Sequence, residues 1–235
     1  MESLDDTVVI TGEDARHIAK SLRMSAGETL TLCDGVGNEA QGVIVSLSSD
    51  AVSVRLGAAN LSAAEPQTHI SLYLAMPKGD KLELVVQKAV ELGAAEIVLL
   101  LTSRCISRPK GSDTEKKVQR LQKIANEAAK QCGRGKIPQV RGILTFSQTL
   151  CEMQQFDCSF TLYEGNCAPL RSLLPEKGSR IALLVGSEGG FSPEEVLEAQ
   201  TSGVLATSLG KRILRCETAP IAALAAVMFS LGEMD

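Results

Sequence analysis

Two glycine-containing loops near the C-terminal end hold most of the side chains that could do chemistry. The first, Gly186-Ser187-Glu188-Gly189-Gly190, follows the short, apolar, β-prone run Ile181–Val185. With so little side chain, that loop offers a ligand mainly backbone groups. The second, Gly210-Lys211-Arg212, follows Val204–Leu209 and leads through Arg215 and Glu217 into an alanine-rich apolar segment. Some chemistries are excluded. A nucleophile elbow needs glycine two residues before the serine, where Val185 stands, and only His17 and His69 could serve as its base. No G-x-x-x-x-G-K-[ST] pattern occurs, so there is no P-loop. A glycine-rich strand-to-helix turn can hold phosphate on its N–H groups, but Glu188 in mid-loop would repel an anion. A ligand with a cationic centre and hydroxyl groups fits better.

The elements that must position these loops are legible around them. Ser192, Pro193 and Glu195 supply an N-cap, a proline at the first helical position and a capping-box partner, so a helix is predicted from about Pro193 to Gly203. Thr218 can cap a last helix in which Pro220 sits early enough to be harmless. Two strand-loop-helix units in succession predict one edge of a parallel α/β sheet, with both loops at the ligand-binding carboxyl end. Upstream, strands are expected at Ile70–Met76, Ile97–Leu101, Val140–Leu144 and Ser159–Tyr163, about six in all. One helix is capped by Asp80 and Glu83 and stopped by Gly93. A longer one runs from Thr114 to Gly133, with Lys116, Lys117, Arg120, Lys123 and Lys130 on its polar face.

Residues 1–65 read differently. Val8–Ile10, Glu28–Cys33, Ala40–Ser48 and Ala51–Leu56 alternate like strands of a small β-barrel, with one short helix over Glu13–Leu22. Gly35-Val36-Gly37-Asn38-Glu39-Ala40 matches a loose dinucleotide pattern, but a strand follows it, which makes it a hairpin turn. Leu61–Thr68 is the expected linker, and a second domain is expected over 69–235.

With 235 residues and 44% hydrophobic content, the chain can bury substantial cores. Its longest apolar stretch, Ala219–Leu231, falls short of the roughly 20 residues of a membrane span, and no leader pattern opens the chain. A cytoplasmic protein with no membrane partner is expected. Seven cysteines, odd in number and without C-x-x-C, suit reduced thiols, and with two histidines no metal site is expected. The net charge of -4 conceals an asymmetry. Arg104–Arg141 holds 11 Lys/Arg against 3 acids, or +8, whereas residues 1–65 hold 4 against 10, or −6. The basic stretch is either a solvated helix face or a surface for a polyanion.

The pair LLVGSEGGFSPEEV and LGKRILRCETAPIAAL, about twenty positions apart, resembles the signature of the RsmE family, the uridine N3-methyltransferases of small-subunit ribosomal RNA. KGDKLELVVQKAVELGAAEI, KIANEAAKQCGRGKIP and HIAKSLRMSAGETLTLCDGVGN extend the resemblance over nearly the whole chain. Departures are Ser187 where proline is usual, Cys216 where threonine is usual and Cys105 where serine is usual.

The resemblance implies a knotted (trefoil) SPOUT α/β methyltransferase domain with an N-terminal PUA-like β-barrel, and S-adenosylmethionine as cofactor. It further implies a homodimer with Ile221–Leu231 in the interface, the alternative being that this helix is only core. Cofactor contacts are expected from Leu162, Tyr163, Glu164 and Gly165, from Val185, Gly186, Glu188, Gly189 and Gly190, and from Leu209, Gly210, Ile213, Leu214 and Thr218. Arg212 and Arg215 are candidates for phosphate or uracil-oxygen contacts, and Glu188 and Glu217 are the candidate catalytic carboxylates. Glu217 could instead complement a helix dipole, and Glu188 could hold the loop. Arg23, Arg104, Arg108, Lys110 and Arg134 are expected on RNA phosphates, with an assembled small subunit as partner. Two alternatives stay open: a knotted methyltransferase acting on another RNA, and a non-catalytic RNA-binding ribosome-assembly factor.

Overall fold

A computed structural model describes residues 7–109, 111–165 and 167–234. The chain divides into two compact units, one of residues 1–65 with 133–136, the other of 66–132 with 137–235.

In the first unit, β1 (Thr7–Thr11), β2 (Thr29–Cys33), β3 (Asn38–Leu47) and β4 (Ala51–Leu61) form an antiparallel sheet in the order β1-β4-β3-β2. Alternation places Ile44, Val52 and Val54 on one face, where Ala15 of α1 (Gly12–Arg16) and Ile18 of the following π-helical turn (His17–Ser21) cover them. The β2–β3 connection is a hairpin turn, as its glycines predict. One Asp34 carboxylate oxygen accepts the N–H groups of Val36, Gly37 and Asn38 at 2.8, 3.1 and 3.0 Å.

The second unit is built on β5 (His69–Ala75), β6 (Glu96–Leu101), β7 (Gln139–Thr145), β8 (Cys158–Leu162), β9 (Ala168–Pro169), β10 (Arg180–Val185) and β11 (Leu205–Ser208). The order is β7-β6-β5-β10-β8-β11-β9, and the strand pairings are parallel. Leu72, Val98, Leu99, Phe160, Leu183 and Leu184 are wholly buried, as in a parallel sheet covered on both faces. Helices α2 (Lys81–Glu91), α3 (Ser112–Cys132), α4 (Phe146–Met153), α5 (Pro193–Thr201) and α6 (Thr218–Ser230) link the strands. α2 buries Leu82, Val85, Val86, Ala89 and Val90, the stripe its sequence period predicts.

Three expectations are corrected. β10 and β11 do not lie side by side at an edge, because β8 pairs between them. The long helix begins at Ser112, so Thr114 falls inside its first turn. α6 has Glu217 at its cap position with no side-chain cap bond, so Thr218 is its first residue and not its cap.

Candidate active site

The insertion of β8 between β10 and β11 assembles the site. Three loops at carboxyl ends of neighbouring strands converge: the one after β8, the Gly186–Gly190 loop after β10 and the segment Leu209–Glu217 after β11. Between them lies a cavity of about 940 Å³, within the range of small-molecule sites.

Local chemistry fixes each wall. The Gly186–Gly190 loop closes on itself through the Gly190 N–H donating to the Ser187 carbonyl at 2.9 Å. It then enters α5 through a capping box, with Ser192 Oγ accepting from the Glu195 N–H at 3.2 Å and Glu195 Oε2 from the Ser192 N–H at 2.9 Å. Glu195 is only 8% exposed, and its other oxygen accepts the Ser103 N–H at 2.6 Å. One side chain thus starts the helix and ties down the segment after β6. After β8, the chain must double back tightly. A Cβ at Gly165 would sit 2.3 Å from the Tyr163 ring, so that position admits only glycine without rearrangement.

All the expected cofactor contacts line the cavity except Gly189 and Thr218. Gly189 instead turns its carbonyl to the Arg104 guanidinium at 2.9 Å, and a Cβ there would meet Arg104 at 2.9 Å. The four candidate catalytic residues, Glu188, Glu217, Arg212 and Arg215, all line the cavity. Both arginines are exposed, and no hydrogen bond or ion pair holds either guanidinium among the described residues. Ser187 is 6% exposed, and its hydroxyl has no hydrogen-bond partner among the described residues. A buried, unpartnered hydroxyl in a cavity wall is costly unless a ligand meets it.

Sequence reasoning missed Lys81, Cys167, Phe191, Thr207, Ser208, Cys216 and Ala219 in the lining. Lys81 matters most. Its Nζ lies 2.8 Å from Glu188 Oε1 and 3.6 Å from Glu217 Oε2. Burial pushes the Glu188 carboxyl up, but hydrogen bonds from Lys81 and from backbone N–H groups outweigh it and hold the group below its ordinary range. Glu217 is held low as well, first by its own backbone N–H and then by the Cys216 thiol. The Cys216 thiol itself is pushed up to about 11, mainly by burial, so it stays protonated.

The RNA candidates separate. Arg23 is exposed, in the left-handed region at φ 54°. Arg104 is exposed beside Gly189. Arg108 donates to the carbonyls of Thr102, Ser103 and Cys105, so its guanidinium shapes its own loop. Arg134 is corrected: it is 7% exposed and its guanidinium is bound to Glu65 at 2.8 Å, inside the first unit. Lys110 lies outside the described residues.

The sequence falls in known company. Residues 64–228 match the model of the RNA methyltransferase domain, and residues 10–57 that of the RNA methyltransferase PUA domain. A curated Bacillus subtilis protein, ribosomal RNA small subunit methyltransferase E, is 36% identical over 95% of this chain and 90% of its own. The chain belongs to this family. The Mycobacterium bovis protein of the same name is 28% identical over 100% of this chain and 92% of its own. The crystal structure of ribosomal RNA small subunit methyltransferase E from Neisseria gonorrhoeae bound to S-adenosyl methionine superposes with a TM-score of 0.87 at 30% identity, covering 97% of this chain and 94% of that one. The PUA match falls within the first unit, and the RNA methyltransferase match covers most of the second.

Proposed function

We propose that this protein transfers a methyl group from S-adenosylmethionine to N3 of a specific uridine in small-subunit ribosomal RNA. The observation that carries the reading is the three-loop cavity at the carboxyl ends of β8, β10 and β11, in a chain related over 95% of its length to the Bacillus subtilis protein named above. The residues present fit the cofactor. Leu162, Val185, Leu209, Ile213 and Leu214 give an apolar wall for an adenine ring, loop backbone offers donors and acceptors to a ribose, and Ser187 Oγ awaits a partner. Glu188 and Glu217 against Lys81 leave that corner with one net negative charge, which suits a ligand with a cationic centre.

When bound, the cofactor supplies an already activated methyl group. The protein then has to align the acceptor and stabilise the uracil as its N3 proton leaves. Arg212 and Arg215, exposed and without a side-chain partner among the described residues, are suited to a uracil oxygen or an adjoining phosphate, where a cation favours the developing negative charge. Glu188, already engaged by Lys81 and by the Lys78 N–H at 3.1 Å, is suited to holding its loop and not to moving a proton.

Residues 1–65 are read as the RNA-binding domain and 69–235 as the catalytic domain, in the cytoplasm. No helix of the described residues is long and apolar enough to cross a membrane. Arg23 and Arg104 are the exposed cations best placed to meet phosphate within their respective units. A trefoil threading of the C-terminal segment is supported by the strand order, in which β10 enters between β5 and β8 and β11 pairs beyond β8. A homodimer is supported by α6, which leaves Phe229 70% exposed next to the half-buried Ile221, Ala222, Ala225 and Ala226.

The test is methyl transfer from labelled S-adenosylmethionine to small subunits from cells lacking the cognate activity, followed by mapping of the product. A single N3-methyluridine in the subunit RNA is expected. Cofactor binding without transfer to that RNA would refute the assigned substrate.

A further inference from the structure

The site contains one cation that comes from none of its three loops. Lys81 opens α2, immediately after the loop that follows β5, and its ammonium reaches two carboxylates belonging to different walls of the cavity. Glu188, in the loop after β10, lies 2.8 Å away, and Glu217, at the start of α6, lies 3.6 Å away. The Cys216 thiol approaches the same nitrogen at 3.7 Å. The loop leading into α2 reinforces the grip, because the Lys78 N–H also donates to Glu188 at 3.1 Å. A carboxylate at a helix N-terminus is favoured by the helix dipole as well.

We infer that Lys81 is a positioning residue that joins the Glu188 loop to the Glu217 segment and so sets the width of the cofactor cavity. The argument is one of charge and reach. Without the ammonium, Glu188 and Glu217 would be two like charges in one partly enclosed corner, with side chains 33% and 19% exposed. Repulsion between them would separate the loop after β10 from the segment after β11, two of the three walls that a ligand must touch. A lysine suits the task because its compact charge on a flexible stem serves two acceptors at different angles. Its ammonium is held above its usual range, first by the bond to Glu188, with Cys216 and Glu217 contributing, which matches a charge shared with both carboxylates.

This inference rests on the proposed cofactor reading, and the test separates the two. S-adenosylmethionine is titrated calorimetrically into wild-type protein, Lys81→Met and Lys81→Arg, and thermal unfolding of each is followed without cofactor. Lys81→Met should bind about tenfold more weakly, a change of about 1.4 kcal/mol, with little change in Tm. Lys81→Arg, which keeps the charge and the reach, should bind within about threefold of wild type. In a Glu188→Gln, Glu217→Gln background, where no repulsion remains, Lys81→Met should have no further effect. Unchanged binding by Lys81→Met, or an undiminished loss in that background, overturns the inference while leaving the cofactor reading intact. Failure of the wild-type protein to bind overturns both.

Discussion

At the amino ends of the central strands, Arg141 lies between Glu96 at 2.9 Å and Glu152 at 3.0 Å. Ser71 donates to Glu96 at 2.7 Å and Tyr73 to Glu152 at 3.2 Å. Every charge in that group answers another. The Tyr73 hydroxyl is pushed well up, first by burial and then by Glu152 and Glu96, so it remains a donor. At the carboxyl ends of the same sheet, Arg212 and Arg215 stand exposed and Ser187 Oγ is buried, each without a side-chain partner among the described residues, beside the closed group that Lys81 forms with Glu188 and Glu217. Polar groups that satisfy one another stabilise a fold, whereas groups left unsatisfied at one end of a sheet mark where a ligand completes them.

Substitutions should therefore act oppositely at the two ends. Arg212→Ala should lower the single-turnover rate about 100-fold, or about 2.7 kcal/mol, while the urea midpoint stays within about 0.5 kcal/mol of wild type. An unchanged rate would remove Arg212 from the reaction. Arg141→Met should do the reverse, leaving Glu96 and Glu152 without their cation and costing about 2 kcal/mol in urea unfolding. Cofactor affinity should be retained, and a large loss of affinity would show that the amino-end group reaches the site.

Acid sharpens the comparison when cofactor affinity is the readout, because the carboxylates at the site are Glu188 and Glu217. Glu188 and Glu217 are held below their ordinary value of 4.5, so their contribution is complete above that value and is lost as pH falls through the depressed one. The charges facing them are Lys81 and each other, with the protonated Cys216 thiol alongside. Cofactor affinity should stay level from neutral pH down past 4.5 and then drop about tenfold per titrated group at most. A decline beginning near pH ~6 would require another group, since unperturbed histidine titrates there. The smallest effect is expected at Ser187. Ser187→Ala should leave the free protein equally stable or about 0.5 to 1 kcal/mol more stable, because an unanswered buried hydroxyl disappears, while cofactor binding weakens by about 1 kcal/mol. Calorimetry and urea unfolding of the one variant read both signs.

Much of this was legible from residues alone, because local rules govern it. Ser192-Pro193 with Glu195 gives the start of α5, and Asp34 with Gly35 and Gly37 gives the β2–β3 turn. The capping box of α4, Thr145 with Gln148, follows the same local rule. What stayed hidden depends on separation along the chain. Nothing local says that β8 inserts between β10 and β11, and that insertion is what makes a three-walled site. Lys81 and Glu188 are 107 residues apart in sequence, and Arg134 and Glu65 are 69 apart. The first pairing adds a residue to the site, and the second removes one from the RNA surface. Charge counting placed Arg134 correctly in a basic stretch but could not see that its guanidinium turns inward.

The most direct test of the central claim is a crystal structure with S-adenosylmethionine. The account predicts the cofactor between the loop after β8, the Gly186–Gly190 loop and the Leu209–Glu217 segment, with Ser187 Oγ hydrogen-bonded to it. Density for the cofactor at any other place on the chain, or between these loops with the Ser187 hydroxyl still unanswered and Lys81 swung away from Glu188, would contradict it.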